Sequence, residues 1–157
     1  MSVPKTDYYD DPDAPPPNSL VVAVAVVAVD DQDRVLLIER TDNGKWALPG
    51  GAQELGESVR EAAVRETREE TGIEVEVAGV VGIYSDPRHV IAYDDGEVRQ
   101  EFSICLRARV IGGSPRSSGE SRTVRWVSRA ELEQLPIDGR MRRRIDDGVR
   151  GAAPHVD

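Results

Sequence analysis

The stretch from Gly51 to Ile73 constrains this chain more than any other. Six glutamates fall between Glu54 and Glu70, interleaved with Arg60, Arg65 and Arg68, and no lysine or aspartate interrupts them. Ser58, followed three residues later by Glu61, is the pattern of a capping box, and Gly72 is a C-terminal stop. A helix is therefore expected from about Ser58 to Thr71. Val59, Ala62 and Ala63 begin an apolar stripe on it, and Glu66 and Glu70 continue the same stripe. A carboxylate facing the core is costly unless it is paired or bound to a metal.

Glu66, Glu69 and Glu70 stand at i, i+3 and i+4, which puts three carboxylates on neighbouring positions of one helical surface. Three anionic oxygen donors suit a hard divalent cation, Mg²⁺ or Mn²⁺. Arg65 lies one turn before Glu69 and can hold it in place. The Gly50–Gly51 pair precedes the helix where the backbone must turn sharply, and its carbonyl oxygen is a further candidate ligand. The competing reading is a solvated Glu/Arg surface helix. The pattern G-x5-E-x7-R-E-x-x-E-E-x-G argues against it. If each fixed residue matched by chance about one time in fifteen, the coincidence would be roughly one in 10⁸ per start point.

Gly51 to Ile73 resembles the Nudix box, the signature of the Nudix hydrolases, and Trp46-Ala47-Leu48-Pro49-Gly50 resembles its usual lead-in. Thr67 departs from the pattern, standing where that family usually has an aliphatic residue; a small packing cost is expected there. The resemblance implies an α/β architecture, the Nudix fold, with a mixed β-sheet sandwiched between α-helices and the box as loop–helix–loop. It also implies metal-dependent cleavage of a diphosphate linked to another moiety. Glu66, Glu69 and Glu70 are then metal ligands, with Glu57 as an outer or second-metal ligand, the Gly50 carbonyl as an additional one, and Arg65 as the orienting partner. The general base is Glu69 or Glu66 within the box, or Glu101 or Glu120 outside it. Arg40, Trp46, Tyr84, Arg88 and Tyr93 are candidates for holding the nucleoside or sugar end, aromatics for stacking and arginines for phosphate; Glu101 is counted with that substrate-binding set too.

The 157 residues suit one domain, expected over residues 19–157 behind a flexible, acidic, proline-rich arm over residues 1–18. A net charge of −9 argues against general binding to nucleic acid or anionic membranes. One cysteine, Cys105, cannot form an internal disulfide and fits a reducing compartment. The longest apolar run, Leu20 to Val29, is too short to span a bilayer and lacks the basic flank of a signal peptide, so a cytoplasmic protein is expected. Many enzymes of the resembled family are dimers, the sole ground for expecting a homodimer.

Leu20–Val29 reads as a central strand buried on two sides, followed by a turn at residues 30–33 and a strand over Val35–Arg40. Ile73–Tyr84 and Val98–Val110 read as strands, the second with Phe102, Ile104, Leu106, Ala108 and Val110 inward. Ser85–Glu97 reads as a polar hairpin loop with its tip at Tyr93–Gly96. A Gly/Ser loop carries Glu120, a short strand covers Val124–Val127, and Ser128 with Glu131 caps a short helix. A last helix over about Asp138–Val149 carries the stripe Ile137, Met141, Ile145 and Val149, while Arg140, Arg142, Arg143 and Arg144 read as a solvated face.

The substrate is expected to be a nucleoside diphosphate derivative such as ADP-ribose or another nucleoside-diphosphate sugar. Pro87 stands 15 residues beyond Gly72, about where ADP-ribose-type enzymes of the family carry a proline. Two alternatives stay open: a house-cleaning nucleoside triphosphate pyrophosphatase, and a nucleotide-sensing module that binds without cleaving.

Overall fold

The computed structural model describes residues 4–151 and 153–157. In chain order its elements are β1 (Lys5–Tyr9), β2 (Ser19–Ala28), β3 (Val35–Arg40), β4 (Trp46–Ala47), β5 (Gly50–Ala52), α1 (Val59–Thr71), β6 (Ile73–Tyr84), β7 (His89–Tyr93), β8 (Val98–Gly113), β9 (Ser121–Val127), α2 (Arg129–Leu132), α3 (Gly139–Arg150) and β10 (His155–Val156). The long strand β8 organises the larger sheet. Along one edge it pairs in parallel with β2, which pairs antiparallel with β5. Its other edge is shared by β7 and β6, both antiparallel to it; β1 extends the sheet from β7 and β10 from β6. A smaller antiparallel sheet runs β4–β3–β9. The expected mixed α/β arrangement is thus present.

The core forms two layers, one on each face of β2, because successive side chains of a strand point to opposite faces. Val24, Val26 and Ala28 pack with Ala62 and Ala63 of α1 and with Leu106 and Ala108 of β8. Ala25 and Val27 pack with Cys105, Tyr84 and Ile145 of α3. The buried half of β2 therefore fits the two-sided strand expected, while Leu20 and Val22 at its start are exposed. The alternation expected for β8 is also overlaid: Ser103 and Cys105 are as buried as Leu106, since α3 covers the second face, while Val110, toward the end of the strand, is exposed.

Other differences are topological. Strand, turn and strand follow one another from Ser19 to Arg40 as expected, but β2 and β3 belong to different sheets, joined by the Val29–Val35 bridge and packed together through the core. The segment read as a loop contains β7. Its five residues are short for a periodic signal, while the tip turn at Tyr93–Gly96 is present and joins β7 to β8. The N-terminal arm holds β1, paired along its length with β7. The arginine cluster is not a solvated face. Arg144 is buried, and Arg142 donates to the carbonyls of Leu132 and Leu135, closing the α2–α3 connection. Only Arg143 of the four is an exposed residue. Among the described residues, no helix is long and apolar enough to cross a membrane.

Candidate active site

The helix α1 is fixed at both ends by the residues that mark it in the sequence. Ser58 caps it, accepting from the Glu61 N–H, and Gly72 leaves it in the left-handed conformation at φ 76°. Because Ala62 and Ala63 dock on β2 and β8, the same face carries Glu66 and Glu70 inward one and two turns later. Glu70 is 4% exposed and its carboxylate accepts one hydrogen bond, from the Gly50 N–H at 3.1 Å. Burial pushes its carboxyl up to about 9; the charges of Glu66 and Glu120 add to that, while the Gly50 N–H and Arg40 oppose it. Burial likewise raises Glu66, against the pull of Arg65.

Two glycines make this approach possible. A Cβ on Gly51 would stand 2.6 Å from the Glu66 carboxylate, and one on Gly50 would collide with the Val24 carbonyl of β2. Arg65 is the hub of the carboxylates. Its guanidinium grips Glu57 with both Nε (2.9 Å) and Nη2 (2.6 Å), reaches Glu66 at 2.8 Å and the Ala52 carbonyl at 3.1 Å, and touches Glu69 at 3.3 Å. Its main grip is thus on Glu57, which the sequence left unpaired with it; that pairing holds the Glu57 carboxyl down at about 2. Glu69 points largely to solvent. Thr67 has no free polar group: it is buried and donates to the Ala63 carbonyl at 2.8 Å.

Glu120 comes to the same cleft from the β8–β9 loop. Its backbone is tied to Thr41 and Ser118, and the neighbouring Ser121 donates to the Glu70 carbonyl at 2.6 Å. The cleft is lined by Gly51, Ala52, Glu54, Arg65, Glu66, Glu69, Glu70 and Glu120. Among the described residues no group of three His, Cys, Asp or Glu side chains already stands as a formed cage for a metal. The donor set still fits a hard cation: it is all oxygen, and the buried Glu70 carboxylate has no basic side chain within salt-bridge distance among the described residues.

Beyond Gly50 and Gly51 the cleft continues into a groove lined by Arg40, Glu101, Tyr93, Lys5, Met141 and Arg144. Arg40 forks onto Asp42 at 2.9 Å through Nε and Nη2, and Glu101 faces the groove from β8. Trp46 is mostly core; it lines the far end of the groove with one edge and lies under the Arg125 guanidinium. Tyr84 and Arg88, expected as substrate-binding residues, stand elsewhere. Tyr84 is sealed in the α3-side core, its hydroxyl donating to Asp147 and its ring stacked on His155. Arg88 grips Asp86 and lies with Pro87 against the prolines of the N-terminal arm. Lys5, Asp7, His89, Met141 and Arg144 were missed. Helical spacing could have found Arg144, which lies three residues after Met141 on the buried face of α3; nothing in the polar arm singles out Lys5.

A carboxylate-bearing helix laid against a mixed sheet, with a groove running on from it, is an arrangement suited to holding a divalent cation beside an extended ligand. The NUDIX domain family model matches residues 19–147. A MutT-like protein of Streptomyces ambofaciens is 37% identical over 143 residues, covering 91% of this chain and 84% of its own. An ADP-ribose pyrophosphatase of Methanocaldococcus jannaschii is 38% identical over 120 residues, covering 74% of this chain and 68% of its own. Among solved structures, a NUDIX hydrolase of Nitrosomonas europaea superposes with a TM-score of 0.68 at 25% identity, covering 85% of this chain and 90% of that one. The chain belongs to the Nudix hydrolase family.

Proposed function

We propose that the protein hydrolyses the diphosphate linkage of a nucleoside diphosphate derivative of the ADP-ribose class, with Mg²⁺ or Mn²⁺ as cofactor. The observation that carries this reading is Glu70: a buried carboxylate with no cationic side chain within salt-bridge distance among the described residues, beside Glu66 and Glu120 in one cleft. The name of the archaeal relative supports the substrate class.

Glu66, Glu69 and Glu70 would hold the cation, with Glu57 and the Gly50 carbonyl as further ligands. When bound, the cation neutralises phosphate charge and lowers the pKa of water. The chain's own residues do the rest. The two-nitrogen grip of Arg65 on Glu57 and its contact with Glu66 fix the orientation of both carboxylates. Gly51 leaves room for Glu66 to approach the backbone. Glu120, carried on a loop at the rim, and the solvent-facing Glu69 are the groups able to accept a proton from an attacking water. Arg40 and Glu101 in the adjoining groove receive the remainder of the substrate.

The test is phosphate or nucleoside monophosphate release from a panel of nucleoside diphosphate sugars, nucleoside triphosphates and dinucleotides, with Mg²⁺, with Mn²⁺ and with EDTA. Cleavage of the nucleoside diphosphate sugars that EDTA abolishes is expected. Preferential cleavage of triphosphates would transfer the assignment to the house-cleaning class. Tight binding of one ligand with no turnover would make the protein a sensor.

A further inference from the structure

The last carbonyls of a helix have no partner inside it, so groups outside must satisfy those of α1. The Gly72 N–H serves Arg68 at 2.9 Å, as a left-handed cap does. The loop over residues 114–120 and the start of β9 serve two more. The Arg116 N–H donates to the Thr71 carbonyl at 2.8 Å, and the Ser121 hydroxyl donates to the Glu70 carbonyl at 2.6 Å. Arg116 Nη2 also reaches the Arg68 carbonyl at 3.4 Å, a cation at the negative end of the helix. Loop and helix end approach so closely that a Cβ on Gly72 would collide with the Ser114 carbonyl, and one on Gly113 with the Gly72 carbonyl. Ser121 is fully buried, and its one hydroxyl proton is spent on Glu70. The 2.8 Å bond between the Ser118 and Ser121 hydroxyls is therefore donated by Ser118. The Ser118 oxygen in turn accepts from the Glu120 N–H at 3.2 Å and the Ser121 N–H at 3.1 Å. A chain of hydrogen bonds with a single direction thus runs from the backbone of Glu120, through two hydroxyls, to the backbone of Glu70.

We propose that Ser118 and Ser121 are positioning residues of the hydrolytic site: their hydroxyl chain latches the loop that carries Glu120 to the C-terminal end of α1, so that Glu120 and the α1 carboxylates are held as one unit. The proposal rests on the hydrolase reading for what Glu120 does, and on the hydrogen bonds alone for how it is held. The opposite side of the loop is fixed as well. The Thr41 N–H donates to the Glu120 carbonyl at 3.2 Å and the Thr41 hydroxyl to the Gly119 carbonyl at 3.1 Å, which brackets Glu120 between β3 and α1. The pairing of β9 with β3 shifts register between Glu39 and Arg40, where Ser121 opens β9, and such a bulge re-aims the chain beside it. Glu120 is an exposed residue, so its place in the cleft is set by its backbone and not by packing of its side chain. The ordinary alternative is a loop that only connects β8 to β9. That role does not call for a hydroxyl enclosed at Ser121, because a buried polar group is costly unless it is hydrogen-bonded and an alanine would fill the same place.

The test joins a structural readout to a kinetic one on the full-length protein, with Ser121→Ala, Glu120→Gln and the double variant. In EDTA, nuclear magnetic resonance should find the Arg116 and Glu120 amides of Ser121→Ala exchanging at least about fivefold faster than in the wild type, the scale of one hydrogen bond. On the best substrate of the panel, kcat of Ser121→Ala should fall at least about tenfold with KM within about twofold, as for a group displaced only where the reaction occurs. In the Glu120→Gln background the same change should cost almost nothing further, because a latch matters through the group it holds. Ser117→Ala, an exposed hydroxyl of the same loop, should match the wild type in both readouts. Should Ser121→Ala fail to fold by circular dichroism, Ser118→Ala decides, since Ser118 is half-buried and accepts the Glu120 N–H. Unchanged amide exchange would overturn the proposal. So would a loss in kcat that is as large without the Glu120 carboxylate as with it, since Ser121 would then act on α1 or on the fold at large. Full turnover by Glu120→Gln would overturn it too, leaving the hydrolase reading with Glu69. No turnover by the wild type would instead sink the hydrolase reading, and amide exchange alone would decide the latch.

Discussion

Gly51 and Glu66 are in contact through the absence of a side chain: a methyl group on Gly51 would stand 2.6 Å from the Glu66 carboxylate carbon and equally close to one of its oxygens. Gly51 lies in β5, held by its pairing with Val24, and Glu66 is fixed on α1 and gripped by Arg65, so neither backbone can easily yield. Gly51→Ala should therefore push the Glu66 carboxylate aside. A displacement of about 1 Å in an active site costs on the order of 10²-fold in rate. We expect turnover in saturating Mg²⁺ to fall at least about tenfold, while the circular dichroism spectrum is retained. Wild-type turnover in the variant would show that Glu66 is not positioned by this contact.

Glu70→Gln separates charge from shape. The Gln side chain can still accept from the Gly50 N–H, but its charge is gone. Burial already disfavours that charge in the metal-free protein, so the variant should melt in EDTA no lower than the wild type. Turnover should fall at least about 10²-fold, the scale of losing one group that stabilises developing charge. Near-normal turnover would overturn the metal-ligand assignment. A large drop in melting temperature would instead make Glu70 a structural residue.

The parts of this site that were legible in the sequence are those fixed by local spacing. Ser58, Glu61 and Gly72 set the ends of α1, and the 3.6-residue period put Glu66 and Glu70 on its buried face. The strands β6 and β8 were legible as well, because each is a long apolar alternation. What was not legible depends on pairing across the chain. The grip of Arg65 on Glu57 crosses from helix to loop over eight residues, outside the i, i+4 neighbourhood that helix geometry defines. Tyr84 resembles a stacking residue in sequence, yet only the packing of α3 on β6 shows that Asp147 and His155 consume it. Lys5 enters the groove because β1 pairs with β7, and β7 is too short and too near a turn to stand out.

Cys105 gives a pH prediction away from the carboxylates. Burial between β8 and α3 leaves it fully enclosed and pushes its thiol up to about 12. The folded chain therefore keeps this proton at a pH where the unfolded chain, with an ordinary thiol, releases it. Stability contributed by Cys105 is complete below the ordinary thiol pKa of about 8.5 and is lost as pH rises from there toward about 12. At pH 8 the native protein should resist a thiol reagent that modifies one cysteine promptly in denaturant. Rapid labelling of the folded protein would place Cys105 at an accessible surface. Cys105→Ala should reduce the decline of melting temperature between pH 9 and pH 11 without removing it, since burial also raises Tyr84.

Thr67 tests whether a departure from the family pattern carries a function. Its side chain is fully buried on α1, one residue from Glu66, and its hydroxyl donates at 2.8 Å to the carbonyl of Ala63, one helical turn back. That carbonyl lies at the i−4 position already served by the helical backbone, so the hydroxyl adds a second donor where one suffices. Valine has nearly the same shape and carries no polar atom to desolvate, though it lacks the hydroxyl that satisfies itself here. The two effects oppose each other, and each is about 1 kcal/mol. Thr67→Val should therefore leave the melting temperature within a few degrees of wild type and leave kcat unchanged, because the Arg65 and Gly50 contacts that orient Glu66 and Glu70 do not involve it. A loss of turnover at unchanged stability would mean that the hydroxyl, and not the carboxylates alone, sets the geometry of the α1 face.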